Sequence, residues 1–101
     1  MKHMVSYKLK ADRIEEHERL AAAVFEALLQ SRPPGLGYAM PKLEDGVSFI
    51  HLVSHAEPDG SNALTALPAF KEFTAGVKER CETPPVRVAL AEIGSYGFFA
   101  Q

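Results

Sequence analysis

The chain has 101 residues, 47% hydrophobic and 24% charged, with a formal net charge of −2. These values describe one globular domain spanning 1–101, and exclude a disordered chain and a nucleic-acid binder driven by bulk positive charge. The single cysteine, Cys81, excludes an internal disulfide framework and a cysteine-rich zinc site.

No stretch reads as a membrane span. Leu20–Leu29 is interrupted by Glu26 and is too short to cross a bilayer. Met1–Lys10 alternates charged and apolar residues instead of forming a signal-type run. The sequence therefore reads as soluble and cytoplasmic, with no membrane and no nucleic acid among its partners.

Val5, Tyr7 and Leu9 alternate with Ser6, Lys8 and Lys10, which predicts a first strand over 2–10. Asp12 followed by Glu15 is an Asp form of the capping box and predicts a helix start. Ile14, His17, Leu20, Ala21, Val24 and Leu28 share its apolar stripe, while Glu15, Glu18, Arg19 and Glu26 face outward. Arg32-Pro33-Pro34-Gly35 ends the helix, because Pro33 disfavours helical geometry at Arg32.

Leu36–Leu43 and Val47–Ala56 flank Asp45-Gly46, a strong hairpin signal. A two-residue loop there pairs Glu44 with Val47. It sets Lys42 by Phe49, Met40 by His51 and Tyr38 by Val53 on one face, leaving Ala39, Leu43, Ile50 and Leu52 on the other. Pro58-Asp59-Gly60 is a turn, and Ser61 or Asn62 is the expected cap of a second helical region. Pro68 predicts a break near Leu67 and a fresh helical start. Phe70, Phe73, Val77 and Cys81 form the buried stripe, and Thr83-Pro84-Pro85 ends the helix. Val86–Ile93 alternates as a fourth strand, followed by an aromatic tail, Tyr96-Gly97-Phe98-Phe99, expected to dock on a sheet edge or a partner.

The order strand, helix, strand, strand, helix, strand predicts a ferredoxin-like α+β domain, a four-stranded antiparallel sheet with two helices on one face. The hairpin is apolar on both faces, and two helices cover only one. A second copy packed sheet to sheet, a homodimer, supplies the missing cover.

Four histidines are candidates for general acid or base work. His51 and His55 share a strand face but stand about 13 Å apart, too far to hold one metal together. His17 can approach His51 only if the first helix packs over that strand. With no metal-ligand spacing in the chain, no metal site is expected. No Gly-rich nucleotide motif exists, so neither a nicotinamide nor a flavin is expected. Tyr7 and Tyr38 fall on inner positions where a hydroxyl seeks a partner, and Phe49, Phe70 and Phe73 can wall a pocket. Cys81 lies near the expected helix C-terminus, where the dipole does not favour a thiolate.

This order, the length and the segment Val47-Ser48-Phe49-Ile50-His51-Leu52-Val53-Ser54-His55 resemble the dimeric α+β barrel superfamily over about residues 2–96. The chain is most similar to its antibiotic-biosynthesis-monooxygenase type of domain. Members include cofactor-independent quinol monooxygenases, haem-degrading monooxygenases, small isomerases and proteins without a known reaction. The resemblance implies a cleft between helices and sheet. His51 stands where such enzymes carry an Asn and His55 where they carry a Trp, so a polar role survives at the first position and the indole wall is lost at the second. The axial histidine of haem-degrading relatives has no counterpart between Asn62 and Cys81. The implied activity is cofactor-independent oxygenation of a small aromatic or quinol. His51, His17 and Tyr7 are the candidate catalytic residues, and Tyr38, Met40, Phe49, His55, Phe70 and Phe73 the candidate substrate-binding residues. Two other readings stay open: a non-catalytic dimeric small-molecule-binding or stress-related module, and an isomerase with a histidine base.

Overall fold

The computed structural model describes residues 1–56 and 63–97. Strand β1 spans Lys2–Leu9. A 3-10 turn at Ala11–Arg13 leads into helix α1, Ile14–Ser31. Strands β2, Leu36–Ala39, and β3, Ser48–His55, form the hairpin. Three short helices follow: α2, Ala63–Ala66, α3, Pro68–Ala75, and α4, Val77–Arg80. Strand β4, Cys81–Leu90, completes an antiparallel sheet of order β2-β3-β1-β4. This is the ferredoxin-like βαββαβ arrangement expected from the element order.

Helix α1 begins later than the capping box implies. No side-chain cap bond forms at Lys10 or Arg13, and Asp12 lies inside the 3-10 turn. The helix is held by burial of His17, Ala21 and Val24, not by a cap. It ends at Arg32, which adopts φ 45° and returns its N–H to the Leu28 carbonyl. That left-handed cap is usually a glycine's; here Pro33 forbids another helical turn and forces the bend one residue early.

The hairpin keeps its expected register, with Tyr38 opposite Val53 and a lone bridge from Lys42 to Phe49. Its loop is wider than two residues. The Leu43 N–H bonds to the Ser48 carbonyl, and the Asp45 carboxylate accepts bonds from the Val47 and Ser48 N–H groups and the Ser48 hydroxyl. The Asp45 side chain replaces the main-chain bonds a tight turn makes, so Glu44 and Val47 do not pair.

The second helical region breaks where Pro68 predicts, with extended Leu67 as cap and Pro68 in the first turn. The expected caps Ser61 and Asn62, the Pro58-Asp59-Gly60 turn, and Phe98 and Phe99 lie outside the described residues. The helix-to-strand boundary needs correction. Cys81 opens β4 instead of closing a helical stripe, and Pro84 and Pro85 lie within that strand. The strand tolerates them because it is an edge. Its pairing with β1 slips between Ser6–Val86 and Lys8–Thr83, a bulge that absorbs the missing N–H groups. Strand β4 ends at Leu90, opposite Lys2 where β1 begins, short of the expected Ile93. Tyr96 and Ile93 are almost fully exposed, so neither docks on its own sheet.

Helices cover the face built by Tyr7, Phe49, His51 and Val53. Val53 packs with Ala21, Val24, Leu64 and Phe73, and Tyr7 and Phe49 pack with Leu9 and Cys81. The opposite face carries Met4, Ile50, Leu52, Val86, Val88 and Leu90. Val86 is 55% exposed and Val88 45%. Among the described residues no helix is long and apolar enough to cross a membrane.

Candidate functional site

The covered face is not purely apolar. Helix α1 packs over the sheet so that His17, fully buried, meets Tyr7 of β1 and Phe49 of β3. The Tyr7 hydroxyl lies 2.5 Å from His17 Nε2 and 2.6 Å from His51 Nε2. His51 Nδ1 lies 2.9 Å from the Tyr38 hydroxyl. At the other end Arg80 donates from Nε to His17 Nδ1 at 3.0 Å and from Nη2 to the Phe73 carbonyl at 2.6 Å. One unbroken chain of hydrogen bonds thus runs from the Phe73 carbonyl through Arg80, His17, Tyr7 and His51 to Tyr38.

Aromatic rings enclose this chain. Tyr7 stacks on its cross-strand partner Phe49, centroids 5.8 Å apart. Phe73 lies 4.8 Å from His17 and 5.7 Å from His51, and Phe70 meets Tyr38 edge-on at 6.1 Å. Met40 is half-buried and touches both apolar clusters.

Burial sets the protonation states. The His17 imidazole is pushed down from 6.5 to about 4, first by burial and then by the Arg80 charge. His51 also falls to about 4, by burial and then by His17 and His3. Both imidazoles are neutral at pH 7. Burial raises the Tyr7 and Tyr38 hydroxyls above the ordinary tyrosine value, so both keep their protons. Burial likewise raises the Cys81 thiol, in line with an inert side chain.

Arg80 is the group the sequence reading missed. It is 2% exposed, and among the described residues no carboxylate is in ion-pair contact with it. Its guanidinium sits 5.3 Å over the Phe73 ring, and a Cβ at Gly76 would come within 3.1 Å of Nη1. Arg80 follows Phe73 by seven residues, the spacing of one helical face. That spacing was the available signal, masked by the charged run Lys78-Glu79-Arg80.

His55 stands apart. It is buried, its Nδ1 has no hydrogen-bond partner among the described residues, and its ring meets His3 edge-on at 6.1 Å. It does not join the chain of bonds. His17 and His51 both spend Nε2 on Tyr7, so neither is free to ligate a metal, and no group of three metal-ligating side chains occurs among the described residues.

A cavity of about 240 Å³ opens beside the far end of the chain, between the end of α1 and β2. Phe25, Leu28, Leu29, Arg32, Pro33, Leu36 and Tyr38 line it. Phe25 stacks on Tyr38 at 5.2 Å. The volume lies a little under the ~300 Å³ at which small-molecule pockets usually begin, so it suits a small ligand.

The four-stranded ferredoxin-like sheet with helices on one face is shared with several solved structures named as antibiotic biosynthesis monooxygenases. A candidate antibiotic biosynthesis monooxygenase from Nitrosomonas europaea superposes with a TM-score of 0.76 at 15% identity, over 95% of this chain and 92% of its own. A second antibiotic biosynthesis monooxygenase gives 0.74 at 13%, over 92% of this chain and 98% of its own. A further candidate from Caulobacter crescentus gives 0.72 at 17%, over 92% and 89%. At these identities the likeness establishes the fold. No family model and no curated protein matches the sequence.

Proposed function

We propose that the chain is a cofactor-independent monooxygenase-like enzyme that oxygenates a small aromatic hydroquinol, working as a homodimer. The observation that carries this reading is the hydrogen-bonded chain ending on Tyr38, a residue that also lines the 240 Å³ cavity. A row of four buried side chains bonded to one another is costly to fold, and an apolar core of the same volume would serve stability better. Sites of chemistry are where such arrangements are kept.

The substrate supplies the electrons. A hydroquinol and one O₂ give a hydroxyquinone and one water: one oxygen atom enters the ring, and the other leaves reduced. The protein must hold the ring in a dry apolar pocket and stabilise the oxyanion that reacts with O₂. Leu28, Leu36 and Phe25 supply walls, Arg32 a positive charge, and Tyr38 also lines the cavity; in this reading its hydroxyl is the polar contact. His51 and Tyr7 hold Tyr38 in place. With both ring nitrogens bonded, His51 serves through Tyr38 and not as a direct base. The neighbours named as monooxygenases support the class of reaction, and the exposed apolar face of Met4, Ile50, Leu52 and Val88 supports the dimer.

Oxygen uptake tests this. The chain is incubated with 1,4-hydroquinone and 1,4-naphthohydroquinone in the presence of a chelator and without flavin. Uptake above the protein-free rate, lost in Tyr38→Phe, is expected. Uptake equal to the blank across both substrates rejects the enzyme reading, and saturable binding without turnover then leaves a small-molecule-binding module.

A further inference from the structure

We infer that Arg80 is a positioning residue that fixes the direction of every hydrogen bond in the chain, so that the Tyr38 hydroxyl is left as a donor and the cavity takes a ligand through an acceptor oxygen, a phenolate or quinone carbonyl. The inference rests on the reading of Tyr38 as the ligand-facing end of the site. It adds which residue sets the chemistry there and what kind of ligand atom is accepted.

The argument follows from counting protons. A guanidinium has five N–H donors and no acceptor, and it does not lose its charge. Its Nε–H points at His17 Nδ1, so that nitrogen must carry the lone pair. A neutral His17 therefore holds its proton on Nε2 and donates to the Tyr7 oxygen. The Tyr7 hydroxyl proton then has one remaining acceptor in reach, His51 Nε2 at 2.6 Å. With Nε2 accepting, neutral His51 holds its proton on Nδ1 and donates to the Tyr38 oxygen at 2.9 Å. The Tyr38 proton is not used by His51, and no other partner for it is found among the described residues. Reversing the His17–Tyr7 bond would turn His17 Nδ1 into a donor facing the Arg80 donor, and reversing the two His51 bonds would leave the Tyr7 proton without an acceptor.

Arg80 does not line the cavity; it acts through His17. Its position is built for this. The Phe73 carbonyl fixes one arm, the Phe73 ring lies beneath, and Gly76 leaves room for Nη1. Each donor in the series polarises the next, so Tyr38 is a stronger donor than an isolated tyrosine. Such a group binds an oxyanion better than its protonated form.

Long-range proton–nitrogen correlation spectra of the uniformly ¹⁵N-labelled protein at pH 7 read the tautomers directly. His17 should carry its proton on Nε2 and His51 on Nδ1, with assignments made through His3→Gln, His55→Gln and His51→Gln. In Arg80→Met both tautomers should become mixed. A wild-type His51 protonated on Nε2 overturns the proposal, and so does an unchanged pattern in Arg80→Met. Should that variant not fold, the wild-type spectrum alone decides. The ligand half uses 4-nitrophenol, whose colour reports ionisation. Bound probe should ionise about tenfold more readily than free, one pKa unit, and Tyr38→Phe should remove that gain while leaving the His17 tautomer intact. No binding at millimolar probe, or ionisation made harder, overturns it. Neither measurement needs turnover, so both stand apart from the oxygen-uptake result.

Discussion

The two faces of the sheet invert the usual arrangement. The face under the helices, sealed from water, holds the polar groups: His17 at 0% exposure, Arg80 at 2% and His51 at 6%. The face that water reaches holds Val86, Val88, Leu90, Ile50 and Leu52. The covered face resolves its conflict internally, because nearly every polar atom there finds a partner in the same chain. The open face has no such solution within one copy. Placing the two side by side teaches that a buried polar group needs matching donors and acceptors, whereas exposed apolar surface needs only a second surface of any similar kind.

Acid should break the covered face first. A histidine held at about 4 in the folded state and near 6.5 when unfolded binds its proton in the unfolded chain over that interval. The unfolded state then carries more protons, so stability is full above pH 6.5 and falls as pH drops towards 4. The loss is roughly 3 kcal/mol per imidazole, on the order of 6 kcal/mol for both. Urea melts at pH 7, 5.5 and 4 check it, and a flat profile would show that the two rings titrate normally. The open face should break next. Ile50→Asp or Leu52→Asp sets an unpaired charge into the proposed interface and should weaken dimerisation by about 3–5 kcal/mol, with the covered face undisturbed. Sedimentation at tens of micromolar reads this as a shift to monomer; a wild type already monomeric there refutes the dimer.

Two tyrosine variants sharpen the contrast within the covered face. Tyr7→Phe leaves His17 Nε2 and His51 Nε2 without a partner and should cost about 2–4 kcal/mol. Tyr38→Phe removes only the terminal bond, beside the cavity, and should cost about 1 kcal/mol while abolishing oxygen uptake. Paired thermal melts and uptake assays separate the two; equal losses of stability would mean that the chain has no structural and functional ends.

Much of the fold was legible because period and turn chemistry are local. The alternation of Val5, Tyr7 and Leu9 and the break at Pro68 need no knowledge of distant residues. The hairpin register survived even though its loop did not, since Asp45 changes how the loop bonds without moving the strands. The boundary at Cys81 was misread because prolines normally end elements, and only the order of strands reveals that β4 is an edge. The site was half legible. His17, Tyr7, His51 and Tyr38 lie on inward positions of three strands and a helix, and their shared face follows from periodicity. Their bonding does not, since it depends on how α1 crosses the sheet. Arg80 was invisible for a different reason: a charged residue without a visible carboxylate partner is ordinarily assigned to solvent, and its partners here are a carbonyl, a ring and an imidazole.

The paired prolines of β4 bear on how copies of the chain can meet. Strands at a sheet's rim invite other strands to dock on their free main-chain groups, the route by which β proteins form fibres. Pro84 and Pro85 remove two successive N–H groups, so the free rim and the ladder to β1 each lose a donor here, and the slip beside them twists the ladder out of line. An incoming strand finds no continuous row to pair with along this stretch. The oily flat of the sheet is left open to contact while its margin is kept unreceptive. Concentrated solutions should therefore favour closed, countable assemblies over open-ended growth from that margin.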